Sequence, residues 1–349
     1  MRALKIIVLL HADLIPPPGK KTNAELENVP WRTEYDVMQC LSSLGHSVKA
    51  IGLLDDLKPL REAIWRYEPD IVFNLLEEFA GRPEFDQHIV SFLELMDIPY
   101  TGCNPRGLMV SRDKGLAKKI MSYHQIQTPN FSVFPVHPSA PTQDRNKDSA
   151  RYGEDALAFP MIVKCLNEEA SRGISQSSIV HNEYKLQERV QYLHEKFGVD
   201  AIAEQFIRGR EFFVGMLGNT KPQCLPIWEL HYHRAADPDG EIYSEKAKFS
   251  SSYRKRKGIT SKKARLNAAL TAKIKGLCRE AYQVLNLTGY CRFDLRLRSD
   301  DEVFLIEANP NPDIGADDEF ALSAAAKGIK YADLLTRILQ LGLKSLQKT

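Results

Sequence analysis

The side chains best placed to do chemistry lie late in the chain, in Arg292-Phe-Asp294 and Glu307-Ala-Asn309. Both segments read as strands, and Ser299-Asp-Asp301 between them reads as a turn. The resulting hairpin would set Asp294 and Glu307 near each other on one face. Two close carboxylates repel unless a cation lies between them. Magnesium suits such a pair, because it prefers oxygen ligands and keeps substrate phosphates in its shell. Asn309 stands two residues beyond Glu307, on the same strand face, where its amide oxygen is a neutral third ligand. The alternative is an exposed hairpin with ordinary charges. The apolar settings Tyr290-Cys-Arg-Phe293 and Val303-Phe-Leu-Ile306 weigh against it, since charges embedded in buried strands need partners.

Two lysines are candidates for phosphate contact: Lys164, ending Met161-Ile-Val-Lys164, and Lys114, in Ser111-Arg-Asp-Lys114. A strand can hold a lysine rigidly over phosphate oxygens. Taken singly, each is more often a solvated lysine than a ligand, and their value comes from their order relative to the carboxylate pair. A third candidate is Glu204-Gln-Phe-Ile207 followed by Arg210-Glu211. Backbone groups at Gln205 and Ile207 are placed to pair with an adenine edge, with Phe206 against the ring and Glu211 accepting from ribose hydroxyls. The plainer reading is a strand, a charged turn and another strand.

The elements that must position these groups can be read from periodicity. Strands at Lys5–Leu10, Ser47–Leu53 and Pro69–Asn74 alternate with helices near Thr33–Leu41, Leu57–Arg66 and His88–Met96. That alternation predicts a parallel sheet with helices on its faces. Thr33 is a candidate helix cap. A helix through Lys114 and Lys119 follows, then an exposed polar loop over Pro135–Asp155, a strand at Pro160–Lys164 and a helix over Glu183–Phe197. Strands at Ala201–Ile207, Glu211–Leu217 and Gln223–Leu230 predict an antiparallel sheet. A long helix over Ser261–Leu285, the late hairpin and a closing helix at Tyr331–Leu346 complete the chain.

At 349 residues the chain is long enough for two or three domains, and its net charge of +2 gives no general argument for nucleic acid or membrane as partner. The six cysteines form no CxxC pair, and they point to a reducing, cytoplasmic setting. The opening apolar run is short and reads as a buried strand rather than a signal peptide. His231-Tyr-His233 would put two imidazoles on one strand face, but no third ligand is evident.

In this order, the segments resemble the ATP-grasp superfamily, and within it D-alanine–D-alanine ligases. The clearest stretches are Phe92 through Gly102, Ser111 through Lys114, Met161 through Lys164, Glu204 through Glu211, and Arg292 through Pro312. The resemblance implies an α/β fold, α+β in its C-terminal part. An N-terminal Rossmann-like domain (1–110), a central subdomain (111–203) and a C-terminal domain (204–349) would enclose ATP. It implies ATP and Mg2+, two ions, as cofactors. Lys114 and Lys164 resemble the ATP-phosphate lysines, with Ser171 and Gly173 in the phosphate-covering turn. Glu204, Gln205 and Ile207 resemble the adenine contacts and Glu211 the ribose contact. Ile162, Phe206 and Ile306 would line the adenine slot. Lys248 resembles a basic residue near the transferred phosphate, and Arg292 the arginine that steadies the reacting centre. Asp294, Glu307 and Asn309 resemble the magnesium ligands. Glu34 resembles the glutamate that holds the first substrate's amino group, although a plain acid in a helix's first turn is the competing account. The implied partners are small-molecule or peptide substrates, a carboxylate donor and an amine acceptor, with homodimerisation common in the family.

The departures concern substrate. The family's His-Gly-x-x-Gly-Glu-Asp-Gly segment is replaced by Leu75 through Asp86, which lacks the histidine and most glycines. The family's Gly-Met-Thr-x-x-Ser-Leu is replaced by Asp313-Ile-Gly-Ala-Asp-Asp-Glu319, with Asp318 at the serine's position beside Asp317. An acceptor carboxylate would be repelled there. Arg172 is added in the covering turn. Ser250 through Gly258 reads either as a mobile basic lid or as a solvated loop. The expected activity is an ATP-dependent carboxylate–amine ligase with an altered acceptor site. The alternatives are a catalytically inactive ATP-binding module and a true D-alanine–D-alanine ligase.

Overall fold

The computed structural model describes residues 2–19, 21–22, 24–27, 29–136, 158–168 and 172–345. Ser171 and most of the Pro135–Asp155 segment lie outside the described residues.

The first sheet is parallel, in the order β2-β1-β3, from β1 (Lys5–His11), β2 (Ser47–Leu53) and β3 (Ile71–Asn74). Helices α1 (Arg32–Ser43), α2 (Lys58–Tyr67) and α3 (Asp86–Leu95) connect and follow these strands. The unbroken apolar run in β1 reflects burial on both faces. Ile6, Val8 and Leu10 pack with Val37 of α1, while Ile7 and Leu9 pack with Leu60 of α2 and Leu93 of α3. Helices α4 (Pro105–Arg112) and α5 (Lys114–Tyr123) lead into the second sheet. Asp113 caps α5, its side chain accepting from the Leu116 N–H.

The second sheet is antiparallel, in the order β4-β7-β5-β6, from β4 (Phe131–Phe134), β5 (Met161–Cys165), β6 (Ile179–Val180) and β7 (Ala201–Gln205), with α6 (Glu183–Phe197) packed on it. The third sheet is built from β8 (Arg210–Leu217), β9 (Gln223–Cys224), β10 (Trp228–Tyr232), β11 (Ile259–Lys263), β12 (Tyr290–Leu297) and β13 (Val303–Pro310). Its order is β11-β10-β8-β12-β13, with β9 on β8. Between these strands lie α7 (Glu245–Phe249), α8 (Ser251–Lys257) and α9 (Ala268–Val284). Helices α10 (Glu319–Ala325) and α11 (Tyr331–Ser345) close the chain. Leu334, Leu335, Ile338 and Leu339 of α11 join the cluster around Ile6 and Val8, so the end of the chain covers one face of the first sheet.

The expected α/β architecture is present, with three local corrections. The long helix expected from Ser261 begins instead at Ala268, because Ile259–Lys263 pairs antiparallel with β10 as an edge strand. Gly258, at φ 62°, ends α8 and lets the chain turn into that strand. Thr33 is not a cap; it lies inside α1 and its hydroxyl donates to Asp313 at 2.6 Å. The third concerns local structure alone: most of Ser250–Gly258 is helical rather than an irregular loop. Ser250 caps the helix α8, accepting from the Tyr253 N–H.

The β12–β13 hairpin is not regular. Arg292 faces Asn309 and Asp294 faces Glu307, but Leu295 then faces Leu305, which leaves Ile306 as an extra residue on β13. This is a β-bulge.

Among the described residues no helix is long and apolar enough to cross a membrane.

The turn from β7 into β8 sits at Gly209, whose φ of 139° disfavours any side chain, and a Cβ there would overlap the Leu297 carbonyl. Gly209→Ala should lower the unfolding free energy by about 2 kcal/mol or more, from backbone strain and the clash. Urea denaturation checks this; an unchanged midpoint would contradict the close approach.

Candidate active site

A cleft of about 620 Å³ opens between the second and third sheets. Its walls include Ile162 and Lys164 from β5, Glu204 and Gln205 from β7, and Phe206 and Ile207 from the turn. Glu211 comes from β8, Lys248 from α7, Arg292 and Asp294 from β12, and Ile306, Glu307 and Asn309 from β13. Asp317, Asp318 and Glu319 line one end together with Glu77 and Asp313. Most of the side chains singled out in the sequence therefore converge. Lys114 joins them through Glu307, and Glu34 lies beside Asp313. Gly173 is held by a different group, its N–H donating to Glu245 at 2.9 Å.

The cleft has three chemical parts. One is apolar: Ile162, Phe206 and Ile242 pack together, and Ile306 lines the same space. A flat ring could lie there, with the backbone of Gln205–Ile207 along its edge. Glu211 sits nearby and accepts from Arg296 at 2.6 Å, while the Arg296 guanidinium lies 5.4 Å from the centre of the Phe206 ring.

The second part is a set of paired charges. Lys164 donates to Glu204 at 2.9 Å, and Lys114 meets Glu307 at 2.9 Å while also donating to the Glu168 carbonyl at 2.5 Å. Arg292 grips Asp294 through two bonds of 2.7 and 2.9 Å. Burial pushes the Asp294 carboxyl up to about 6; Arg292 opposes that rise, and the charges of Glu307 and Glu211 add to it. Burial alone would also raise Glu204 and Glu307. The surrounding lysines win, and both carboxyls are held below their ordinary range.

Asp294, Glu307 and Asn309 share one face of the hairpin, as the register requires. No group of three or more His, Cys, Asp or Glu side chains among the described residues is arranged to hold a metal. A cation here would take two carboxylates and an amide, leaving positions for phosphate and water. The residues fit a hard ion, because the carboxylates of Asp294 and Glu307 and the amide of Asn309 all offer oxygen.

The third part is acidic. Asp318 is pushed well above its ordinary range by burial, and the charges of Asp313 and Glu319 add to the shift. Arg32 offsets part of this charge, bonding Asp36 at 3.0 Å and reaching Asp317 at 3.4 Å. Glu34 is 5% exposed, and its Oε2 has no partner. Burial first, then the charge of Asp313, raises its carboxyl to about 7. An acid placed only to favour a helix dipole would be solvated, and Glu34 is not.

Lys118 was not singled out in the sequence. It is 1% exposed, and its ammonium donates to Thr128 Oγ1 at 2.9 Å and the Ile306 carbonyl at 3.0 Å, with Glu204 at 3.5 Å. The available signal was its spacing, four residues after Lys114 and therefore on the same helix face. His231 and His233 stack at 5.7 Å, and His233 bonds Thr260.

Comparison with known proteins is consistent across three measures. Residues 120–340 match the family model described as the D-ala D-ala ligase C-terminus. An uncharacterized protein of Sinorhizobium fredii is 29% identical over 89% of this chain and 88% of its own length. The D-alanine–D-alanine ligase of Natranaerobius thermophilus is 30% identical over 86% of this chain and 78% of its own. The crystal structure of D-alanine–D-alanine ligase from Bacillus anthracis complexed with ATP superposes with a TM-score of 0.74 over 99% of both chains, at 22% identity.

Glu34 yields a prediction on pH. Its folded value of about 7 exceeds the ordinary 4.5, so the native state holds a proton that the unfolded state releases. Stability therefore falls as pH rises from the unfolded value through about 7. Glu34→Gln should match the parent near pH 5 and exceed it at pH 8 by up to about 3 kcal/mol. Urea unfolding at the two pH values checks this; an identical pH dependence in both proteins would contradict it.

Proposed function

The chain belongs to the D-alanine–D-alanine ligase family of ATP-grasp enzymes, and from that premise we propose that it joins a carboxylate to an amine at the expense of ATP, with an acceptor other than free D-alanine. The observation that carries the reading is the cleft itself. It sets an apolar slot, two lysines and an oxygen-donor face side by side, and an acidic end beyond them.

A carboxylate is a poor electrophile, because its leaving group would be oxide. When its oxygen takes the γ-phosphoryl group, the O–P bond to ADP breaks and an acylphosphate forms. The amine nitrogen then bonds the acyl carbon, the C–O bond breaks, and phosphate leaves with its electron pair as the nitrogen loses a proton. Mg2+ held by Asp294, Glu307 and Asn309 would supply neutralisation of phosphate charge. Lys114 and Lys164 would turn from Glu307 and Glu204 to the phosphates, and Lys248 would add positive charge on the same side. Ile162, Phe206 and Ile306 would hold the base, with Glu204, Gln205 and Ile207 along its edge and Glu211 at the ribose. Arg292 would steady the oxyanion formed when the amine attacks.

Glu34 is placed to hold an ammonium on the donor. At the far end, Asp317, Asp318 and Glu319 would repel an acceptor carboxylate and favour an amine without one, or one that carries a second cationic group. A true D-alanine–D-alanine ligase is the second reading, favoured by the ligases of that name among the relatives.

ADP release measured with D-alanine as donor and a panel of acceptors separates the two. Amines and basic amino acids should turn over faster than D-alanine. D-alanine acting alone as the best acceptor would establish the second reading, and ADP release indifferent to any acceptor would sink both. In the productive pair, Glu307→Gln should lower kcat by about 100-fold or more.

A further inference from the structure

We propose that Lys118 is a positioning residue that fixes the phase of β13, and so decides that Glu307 and Ile306 both face the cleft. This rests on the nucleotide and metal reading above.

The argument starts from the ladder. Leu305 faces Leu295, and an unbroken antiparallel register would set Ile306 opposite Asp294 and Glu307 opposite Phe293. Phe293 is fully buried in the core on the other side of the sheet. A regular strand would therefore send Glu307 into that core and leave no carboxylate facing Asp294. The extra residue at Ile306 shifts the strand by one. Glu307 then faces Asp294, and Asn309 faces Arg292. The same irregularity lets two consecutive side chains, Ile306 and Glu307, line one cleft, which strict alternation forbids.

A bulge leaves its extra residue unpaired in the ladder, and a buried carbonyl without a partner is costly. Ile306 has no partner residue on β12, and its carbonyl accepts from Lys118. The ammonium is a charged donor, which strengthens the bond. Thr128 holds the same ammonium, and next to Thr128 the Gln127 carbonyl accepts from the Leu305 N–H at 2.9 Å. The segment at 127–128 and the lysine from α5 thus clamp β13 at the residue where its phase changes. Glu204, on the opposite wall, balances the charge and shares itself with Lys164. Lys118 reaches both walls of the cleft while itself lying out of contact with solvent.

The test is equilibrium Mn2+ binding in the presence of ADP, followed by electron paramagnetic resonance, on the full chain and on Lys118→Met. Wild type binding no Mn2+ under these conditions would overturn the metal reading itself. With binding established, the variant should hold Mn2+ about tenfold more weakly or worse, the usual cost of losing a group that orients a ligand. It should also need a correspondingly higher Mg2+ concentration for half-maximal rate. A folded variant with wild-type Mn2+ affinity would overturn the proposal and leave the metal reading standing. If Lys118→Met does not fold, Thr128→Val decides. It removes one anchor of the ammonium and should weaken Mn2+ binding about threefold, the scale of one net hydrogen bond. Unchanged affinity in a folded Thr128→Val would then overturn the proposal.

Discussion

Asp294 and Glu307 face each other across one rung of a buried hairpin, and their mutual repulsion is the constraint around which the cleft is organised. Charge removed from water must be balanced nearby. Within the chain the balance is internal: Arg292 takes Asp294, Lys114 takes Glu307, and Lys164 and Lys118 share Glu204. A nucleotide brings phosphate for the lysines, and its metal brings charge for the carboxylates. On the proposed function, binding would exchange one set of partners for another without stranding a buried charge.

The acidic end of the cleft carries the opposite imbalance. Glu34 and Asp318 are both pushed toward the neutral form by burial and by neighbouring acids, and Arg32 bonds Asp36 and Asp317 rather than either of them. Such an arrangement costs stability in the free protein, and a cationic ligand would recover that cost. Strain of this kind collects at sites shaped for a ligand, and on the proposed function these acids would meet the substrate.

Much of this was legible in the sequence because local patterns and tertiary placement agree. The β1 run, the α6 boundaries and the late hairpin are set by apolar periodicity and turn residues, and the hairpin carries Arg292, Asp294, Ile306, Glu307 and Asn309 of the cleft. The misses share one cause, which is that their meaning lies in a distant partner. Ile259–Lys263 is polar enough to read as helix until β10 is beside it. Thr33 resembles a cap until Asp313 is seen to accept its hydroxyl. Lys118 reads as one more lysine on a helix until the Ile306 carbonyl is found accepting from it. The bulge itself leaves no mark in Val303–Pro310, because one extra apolar residue does not disturb a run that is already apolar.

The central claim is that Asp294, Glu307 and Asn309 grip one divalent ion in front of the two lysines. The most direct measurement is a crystal structure grown with Mn2+ and ADP, with the ion located by its anomalous scattering. The account predicts a peak bound by oxygens of all three side chains, with Lys114 turned from Glu307 toward phosphate. A peak elsewhere, or an ion absent from that face while Lys114 stays on Glu307 with ADP bound, would contradict it.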